Sequence, residues 1–193
     1  MRIVVVCHVH PQAPVVGGAR AWRFAVELAA RGHRVVLLCA PAEAEAADGG
    51  DAPDPATLAA RLAAHDWAAP LPLACPPARA PLLAAARRGR LPAPARRLVL
   101  AAHYALAGGV FGDWRAGCRR LTPALVAAFR PEVVWATFGN TDAWAVGQAV
   151  ARAAGCPWVM DIKDVWDAFV PWPLRGWVAR RFRDARAVTG LSR

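Results

Sequence analysis

Short uninterrupted apolar runs alternate with longer amphipathic segments along much of the chain. Residues 2–9 (RIVVVCHV) and 34–40 (RVVLLCA) are rich in β-branched side chains and show no polar alternation, which is typical of strands buried on both faces of a parallel sheet. Between them, residues 20–33 predict a helix with an apolar stripe along one side and Gly32 at its end. This opening segment therefore predicts a β–α–β unit.

The same alternation returns in the second half of the chain. Predicted strands cover residues 132–139, 156–164 and 187–192, and predicted helices cover 142–154 and about 173–186. Thr141 is a candidate N-cap for the first of these helices and Gly155 its end. Strands that alternate with helices in this way predict an α/β fold, with a Rossmann-like, doubly wound, mainly parallel sheet flanked by helices.

The middle of the chain is the least regular part. Residues 41–56 are acidic and rich in Pro and Gly, which predicts a long surface loop. Residues 57–130 have a helical composition interrupted by prolines, Pro123 among them. The length of 193 residues suits one domain, so we expect a single domain over 1–193 with a variable region at 41–130.

Apolar content limits where the protein can reside. The longest uncharged, mostly apolar run is residues 98–112, which is shorter than the roughly 20 residues of a membrane-spanning helix. The apolar run at residues 3–7 is also too short for a signal-peptide core. We therefore expect a cytoplasmic protein that is soluble or held at the periphery of the inner membrane face.

The chain is strongly basic, with a net charge of +10, and Lys163 is its only lysine. A basic chain favours anionic partners, although a solvated arginine-rich surface explains the excess equally well. Residues 172–183 mix aromatic and arginine side chains, so an anionic membrane surface is one candidate partner, with packing against the sheet favoured. Charge is the only feature that would suit nucleic acid, so a nucleic-acid partner is not expected.

The cysteines give no sign of a metal or disulfide framework. They stand at positions 7, 39, 75, 118 and 156, and no CxxC pair occurs. Cys7, Cys39 and Cys156 lie in or beside strand-like runs, which predicts buried, reduced thiols. Neither a metal site nor a bound cofactor is expected.

Candidate chemistry lies where strands end, because ligands of open α/β sheets bind beyond the carboxyl ends of the strands. Gly17 and Gly18 precede the first predicted helix, where backbone amides and the helix dipole suit a phosphate. The segment lacks both GxGxxG and GxxxxGK[ST], which disfavours a dinucleotide site and excludes a P-loop. His8 and His10 would point the same way on an extended chain, suiting acid–base chemistry; ordinary loop histidines are the simpler interpretation.

Two further strand ends carry polar residues. Asn140 and Thr141 offer neutral donors and acceptors for sugar hydroxyls, or serve only as helix caps. In the segment DIKDVWD, residues 161–167, Asp161 and Lys163 share one side of the strand, and Asp164 and Trp166 follow. An internal ion pair between Asp161 and Lys163 is the alternative to a binding site.

Three stretches together resemble glycosyltransferase family 4. The opening VGGARAWRFAVELAARGHRVV is similar to the family's first strand, Gly-Gly loop and helix, which end in RGHxV. PEVVWAT followed by GCPWVMDIKDVW is similar to its P-D-V-V-x-A-T and G-x-P-W-V-x-D-x-[RK]-D-x-W succession. AVTGLS resembles the A-D-x-V-T-x-x-S that closes the family's N-terminal domain.

The resemblance implies one half of a GT-B fold, the half that binds the acceptor. It places Gly17 and Gly18 at the donor diphosphate. It places His8, His10, Asn140, Thr141, Asp161, Lys163, Asp164 and Trp166 in the cleft, with Asp161 and Asp164 as candidate catalytic residues. The family's donor domain, with its Glu-x7-Glu motif, has no counterpart in the sequence.

Two functions follow as hypotheses. The first is an acceptor-binding part of an enzyme that transfers a sugar from a nucleotide-sugar donor to a glycan or lipid-linked acceptor, inactive without its donor half. The donor is then a substrate and no cofactor is needed. The second is a non-catalytic module that docks on a separate donor-binding subunit or on a membrane surface.

Overall fold

A computed structural model describes residues 1–42, 54–163, 170 and 172–190. The strands are β1 Arg2–Val6, β2 Arg34–Cys39, β3 Leu71–Ala74, β4 Val133–Thr137, β5 Trp158–Ile162 and β6 Ala187–Gly190. The helices are α1 Val16–Ala30, α2 Pro55–Ala64, α3 Pro81–Arg87, α4 Ala93–Ala107, α5 Gly112–Phe129, α6 Thr141–Ala154 and α7 Trp172–Arg181.

The six strands form one parallel sheet in the order β3-β2-β1-β4-β5-β6. This is the doubly wound order of Rossmann-like folds, so the predicted fold class is confirmed. The register pairs Val5 of β1 with Leu37 of β2 on one side and with Trp135 of β4 on the other. Apolar side chains thus meet across the centre of the sheet.

Both faces of the sheet are buried at its centre, as the continuous apolar runs predicted. Ile3 and Val5 of β1 pack with Ala21 and Ala25 of α1 on one face. Val4 and Val6 face the opposite way, into a larger core beneath α2, α5, α6 and α7. The alternation follows from the two-residue period of a strand: every residue of such a strand is apolar because each face has a helical layer on it.

The proline-rich middle segment differs from its prediction in two places. Residues 71–74 form β3, a strand that the sequence pattern did not indicate. Among the described strands it pairs with β2 alone, at the sheet edge, where Pro72 can sit without the backbone N–H that it lacks. Pro123 does not break a helix, because it lies inside α5. The predicted loop falls mostly on residues 43–53, outside the described residues; α2 begins at Pro55, after an Asp54 N-cap.

The helix boundaries also need three corrections. α1 starts at Val16, so Gly17 and Gly18 lie in its first turn instead of before it. Thr141 is the first residue of α6, and Asn140 is its N-cap. α7 ends at Arg181, before the predicted end near Arg186. The predicted ends at Gly32 and Gly155 are confirmed, since both glycines have positive φ angles, of 81° and 65°.

All five cysteines lie in the described part of the chain, and none forms a disulfide. Cys7 and Cys39 are buried at the ends of β1 and β2, as predicted, while Cys156 is half-buried. Burial raises the pKa of the Cys7 thiol, which keeps it protonated and unreactive at neutral pH. Among the described helices, none combines the length and apolar character needed to cross a bilayer.

Candidate functional site

The centre of the sheet contains the point where the chain direction diverges. β1 and β4 are neighbours, but β1 leads through α1 to β2 on one side, whereas β4 leads through α6 to β5 on the other. The two outgoing loops separate and leave a crevice beyond the carboxyl ends of the strands. We call this the carboxyl-edge crevice. Its described border comprises residues 7–15, the first turn of α1, residues 138–140 and Lys163.

The first turn of α1 presents to this crevice a helix N-terminus that has no side-chain cap. The N-cap position is Val15, whose side chain cannot accept a hydrogen bond, and the first turn contains no acidic residue. The first backbone N–H groups of a helix have no acceptor within it, whereas Gly18 N–H already donates to the Val15 carbonyl at 3.1 Å. Together with the helix dipole they create a positive potential at Val16 and Gly17.

Lys163 reaches this helix end from β5. A Cβ atom added to Gly17 would overlap the Lys163 Nζ, and one added to Gly139 would lie 3.9 Å from it. The ammonium group therefore stands between α1 and the turn that follows β4. Gly17 leaves the space that the ammonium occupies.

Gly18 is held by a different contact. A Cβ atom added there would lie 2.5 Å from the backbone oxygen of His10 and 3.0 Å from Val9 Cγ1. Since that oxygen also accepts a hydrogen bond from Ala13 N–H at 3.0 Å, the loop cannot shift easily. A glycine at position 18 is what lets the β1–α1 loop fold back onto the helix.

The two histidines do not form the expected pair. The chain bends at His8 and Val9, so the extended geometry that would align the side chains is absent from this described segment. His10 Nδ1 accepts a hydrogen bond from Gln12 N–H at 3.2 Å. The His8 ring instead packs on the Phe111 ring, with 3.9 Å between their centroids, and edge-on to the Trp114 ring, with 4.9 Å between centroids.

His8 is neutral at physiological pH. Burial lowers its pKa to about 4, and the nearby Arg87 guanidinium adds to the effect, while Asp113 opposes it. Arg87 and Asp113 themselves form a two-pronged ion pair, with Nη1–Oδ1 at 2.7 Å. A neutral imidazole can accept a proton or a hydrogen bond, but its low pKa makes His8 a weak base.

Asp161 lies at the end of β5 in a closed network. Its carboxylate accepts hydrogen bonds from Arg20 Nη1 at 2.6 Å and Nη2 at 3.1 Å, from Thr137 Oγ1 at 2.7 Å, and from Thr189 Oγ1 at 2.9 Å. The residue is 1% exposed. The alternative predicted an ion pair of Asp161 with Lys163; among the described residues the ion-pair partner of Asp161 is Arg20 instead.

Arg20 is the important residue of this site that sequence reasoning missed. Its position in α1 reads as an ordinary exposed helical arginine. The available signal was indirect: a carboxylate in a buried parallel strand requires a cation, and the first turns of α1 are the part of that helix nearest the carboxyl edge.

The residues after β4 have mainly internal roles. Asn140 Oδ1 accepts a hydrogen bond from Ala143 N–H at 3.0 Å and so caps α6. The Thr141 hydroxyl donates to the Gly108 carbonyl. Asp142, fully buried, accepts from Phe111 N–H at 2.8 Å, and burial raises its pKa. These bonds fix residues 108–111 and thereby the ring on which His8 packs.

The structure thus brings Gly17, Gly18, His10 and Lys163 to the same crevice, and places Asn140 beside it. Asp164 and Trp166 lie outside the described residues. Within residues 1–42, 54–163 and 172–190, no three His, Cys, Asp or Glu side chains gather in a way that would hold a metal ion. The chain matches no known family model, and no curated protein is significantly similar to it in sequence.

Proposed function

We propose that the chain is the acceptor-binding part of a glycosyltransferase that uses a nucleotide-sugar donor. One observation carries the proposal: the Lys163 ammonium lies against Gly17 at the uncapped N-terminus of α1, beyond the carboxyl ends of the central strands. The likeness of the sequence to glycosyltransferase family 4 supplies the reaction class.

The electrostatics of the crevice suit a diphosphate. Two positive contributions converge there, the dipole of α1 and the charge of Lys163. An anion bound between them would be attracted by both. A phosphate oxygen at that position would accept hydrogen bonds from the first-turn amides and from the ammonium. The diphosphate of a nucleotide sugar is a ligand of this kind, and it is also the leaving group of the transfer.

Catalysis would then rest mainly on positioning and charge stabilisation. The Gly17 amide and the Lys163 ammonium would stabilise the negative charge that develops on the leaving diphosphate, and Gly18 would keep the β1–α1 loop folded against the helix. His10 and Asn140 border the same crevice and would orient the acceptor. In retaining members of the family that the sequence resembles, the donor phosphate accepts the acceptor's proton, so no protein base is required.

Asp161 has a positioning role in this proposal. Its oxygens already bind Arg20, Thr137 and Thr189, and it is too enclosed to reach a substrate. By fixing Arg20 it holds the start of α1, and therefore Gly17, at the ends of β4, β5 and β6. Asp164 stays the other candidate from the sequence.

The proposal includes a donor-binding half, supplied by the same polypeptide or by a partner subunit. Its test joins the chain to such a half and measures release of nucleoside diphosphate from a panel of UDP-, GDP- and ADP-sugars with glycan and lipid-linked acceptors. We expect Gly17→Ala to lower kcat/KM about 10-fold or more, because the added methyl group displaces the Lys163 ammonium. Gly176→Ala, in open space on α7, serves as the control.

Two results would reject the glycosyltransferase proposal. One is the absence of donor-dependent transfer across the panel by the folded, completed enzyme. The other is a Gly17→Ala enzyme that transfers as fast as the Gly176→Ala control.

The surface of α4 favours a second candidate function. In this function the protein docks on the anionic inner face of the cytoplasmic membrane. This 15-residue helix contains no buried residue; Leu98 is 72% and Leu106 88% exposed, beside Arg96 and Arg97. By contrast, Val178 of α7 is buried in the core, as is Phe182 directly after that helix.

Vesicle co-sedimentation tests this candidate. A membrane module predicts binding to phosphatidylglycerol vesicles that weakens in Leu98→Gln/Leu106→Gln and at high salt. Equal sedimentation with anionic and neutral vesicles, or none with either, would reject it.

A further inference from the structure

A second basic site lies among the helices, and none of its lining residues borders the carboxyl-edge crevice. A cavity of about 320 Å³ opens between α5 and α6. Four arginines line it: Arg115 and Arg119 from α5, Arg152 from α6 and Arg181 from α7. Thr122 and Gln148 supply part of the remaining polar wall. We call this space the arginine cavity.

Carboxylates compensate only part of this charge. Arg115 Nη1 lies 3.1 Å from Asp142 Oδ1, and Arg152 Nη2 lies 2.7 Å from Asp184 Oδ2. Among the described residues, no carboxylate oxygen lies within 4 Å of Arg119 or Arg181. The cavity therefore keeps a positive excess of about two charges.

The arginines are held together against their mutual repulsion. Arg115 Nη1 and Arg181 Nη1 both donate to the Ala107 carbonyl, at 2.7 and 3.2 Å. Burial and the neighbouring Arg115 lower the pKa of Arg181, while Asp142 opposes this effect. The Arg181 guanidinium is also fixed 5.3 Å from the Trp177 ring centroid. Such an arrangement costs free energy in the empty protein, and a bound anion would recover it.

The size and chemistry of the cavity limit its ligand. Its volume equals that of about ten water molecules at liquid density, which accommodates a phosphate or diphosphate group with a few waters. Guanidinium groups bind such oxyanions through paired N–H donors. Arg119, which is exposed at the rim, can close on a ligand that Arg181 holds from inside.

We propose that the arginine cavity binds a phosphate-bearing anion, either a free phosphate compound or a phospholipid headgroup. The site is separate from the carboxyl-edge crevice and does not depend on the proposed glycosyl transfer. Its ligand would hold α5, α6 and α7 together at one point, since each of these helices contributes an arginine.

The test uses inorganic pyrophosphate and isothermal titration calorimetry in low-salt buffer free of phosphate. Arg119→Gln removes a cavity arginine, and Arg120→Gln removes the same charge from the next position, which does not line the cavity. We expect Arg119→Gln to raise the Kd at least 10-fold and Arg120→Gln to change it less than 2-fold. Both substitutions are also measured in the Lys163→Met background, which weakens any binding at the carboxyl-edge crevice; the effect of Arg119→Gln should persist there.

Three results would overturn the proposal. They are no measurable binding to the folded wild-type protein, equal weakening by Arg119→Gln and Arg120→Gln, and loss of binding in Lys163→Met instead of Arg119→Gln. The last result would place pyrophosphate in the carboxyl-edge crevice. Co-sedimentation with phosphatidylglycerol vesicles then separates the two sources of phosphate. Vesicle binding that requires Arg119 identifies a lipid headgroup. Vesicle binding that is absent, or is unchanged in Arg119→Gln, identifies a free phosphate compound.

Discussion

Arg20 of α1 donates two hydrogen bonds, of 2.6 and 3.1 Å, to Asp161 of β5, which lies 141 residues further along the sequence. The same carboxylate binds Thr137 at the end of β4 and Thr189 in β6. One buried acid thus joins a helix to three adjacent strands. It fixes the position of the helix N-terminus that borders the carboxyl-edge crevice.

Replacing Asp161 with Asn should therefore destabilise the fold. The change removes the carboxylate charge that pairs with Arg20 in a partly buried site and reduces the acceptor capacity for two threonines. We expect a loss of about 2–3 kcal/mol in the free energy of unfolding, at the low end for a broken buried pair because Arg20 keeps some contact with solvent. Urea denaturation followed by circular dichroism measures it.

Glu132→Gln is the matched control, since Glu132 pairs with Arg2 at an exposed position. Its cost should stay below about 1 kcal/mol. Equal costs for the two substitutions would show that the Asp161 network contributes no more than a surface ion pair.

His8 should make the stability depend on pH below neutrality. Its pKa is about 4 in the folded chain against 6.5 as the ordinary value. Above pH 6.5 it is neutral in both states. Between pH 6.5 and about 4 only the unfolded chain takes up the proton, so the free energy of unfolding falls, by up to about 3 kcal/mol.

Stability measurements at pH 7, 5.5 and 4.5 test this dependence, with His8→Phe as the variant that cannot titrate. The wild-type protein should lose more stability than the variant over this range. NMR titration gives the direct value, and a His8 pKa above 6 would contradict the buried environment described here.

Substitution by alanine should change the stability in opposite directions at two helical glycines. Gly18→Ala places a methyl group 2.5 Å from the His10 backbone oxygen, so the β1–α1 loop must move and the Tm should fall. Gly176→Ala meets no atom within 4 Å and should raise stability by about 0.5–1 kcal/mol through helix propensity. Calorimetric Tm values for the two variants test this prediction. An unchanged Tm for Gly18→Ala would mean that the loop moves aside without loss of stability.

Sequence patterns predicted the sheet well where strands are buried on both faces. The runs at β1, β2 and β4 are continuous and apolar, and the run at β5 is interrupted by Asp161, so strand is the natural interpretation of all four. β3 escaped prediction because Leu71–Ala74 is short and contains a proline, and its pairing exists only through the tertiary neighbour β2. Pro123 led to the wrong prediction of a break in the helix. Packing of α5 against the core keeps the helix continuous through this proline.

The candidate site was predictable as a location more than as a set of contacts. The topology places residues after β1, β4 and β5 at one edge, so Gly17, His10, Asn140 and Lys163 were identified from strand ends. Periodicity does not report how far a long side chain reaches, which is why the partnership of Arg20 with Asp161 was missed. It also gives no distance between helices, so the arginine cavity could not be inferred.

The claim that the carboxyl-edge crevice holds the donor diphosphate is tested most directly at Lys163. The measurement is the rate of nucleoside diphosphate release by the enzyme completed with its donor half, for Lys163→Met, Lys163→Arg and the distant Arg120→Gln. The geometry predicts about a 100-fold lower kcat/KM for Lys163→Met, as for removal of one charge-stabilising donor. It predicts recovery of most of the rate with Lys163→Arg and no change with Arg120→Gln. A Lys163→Met enzyme as fast as wild type would contradict the claim.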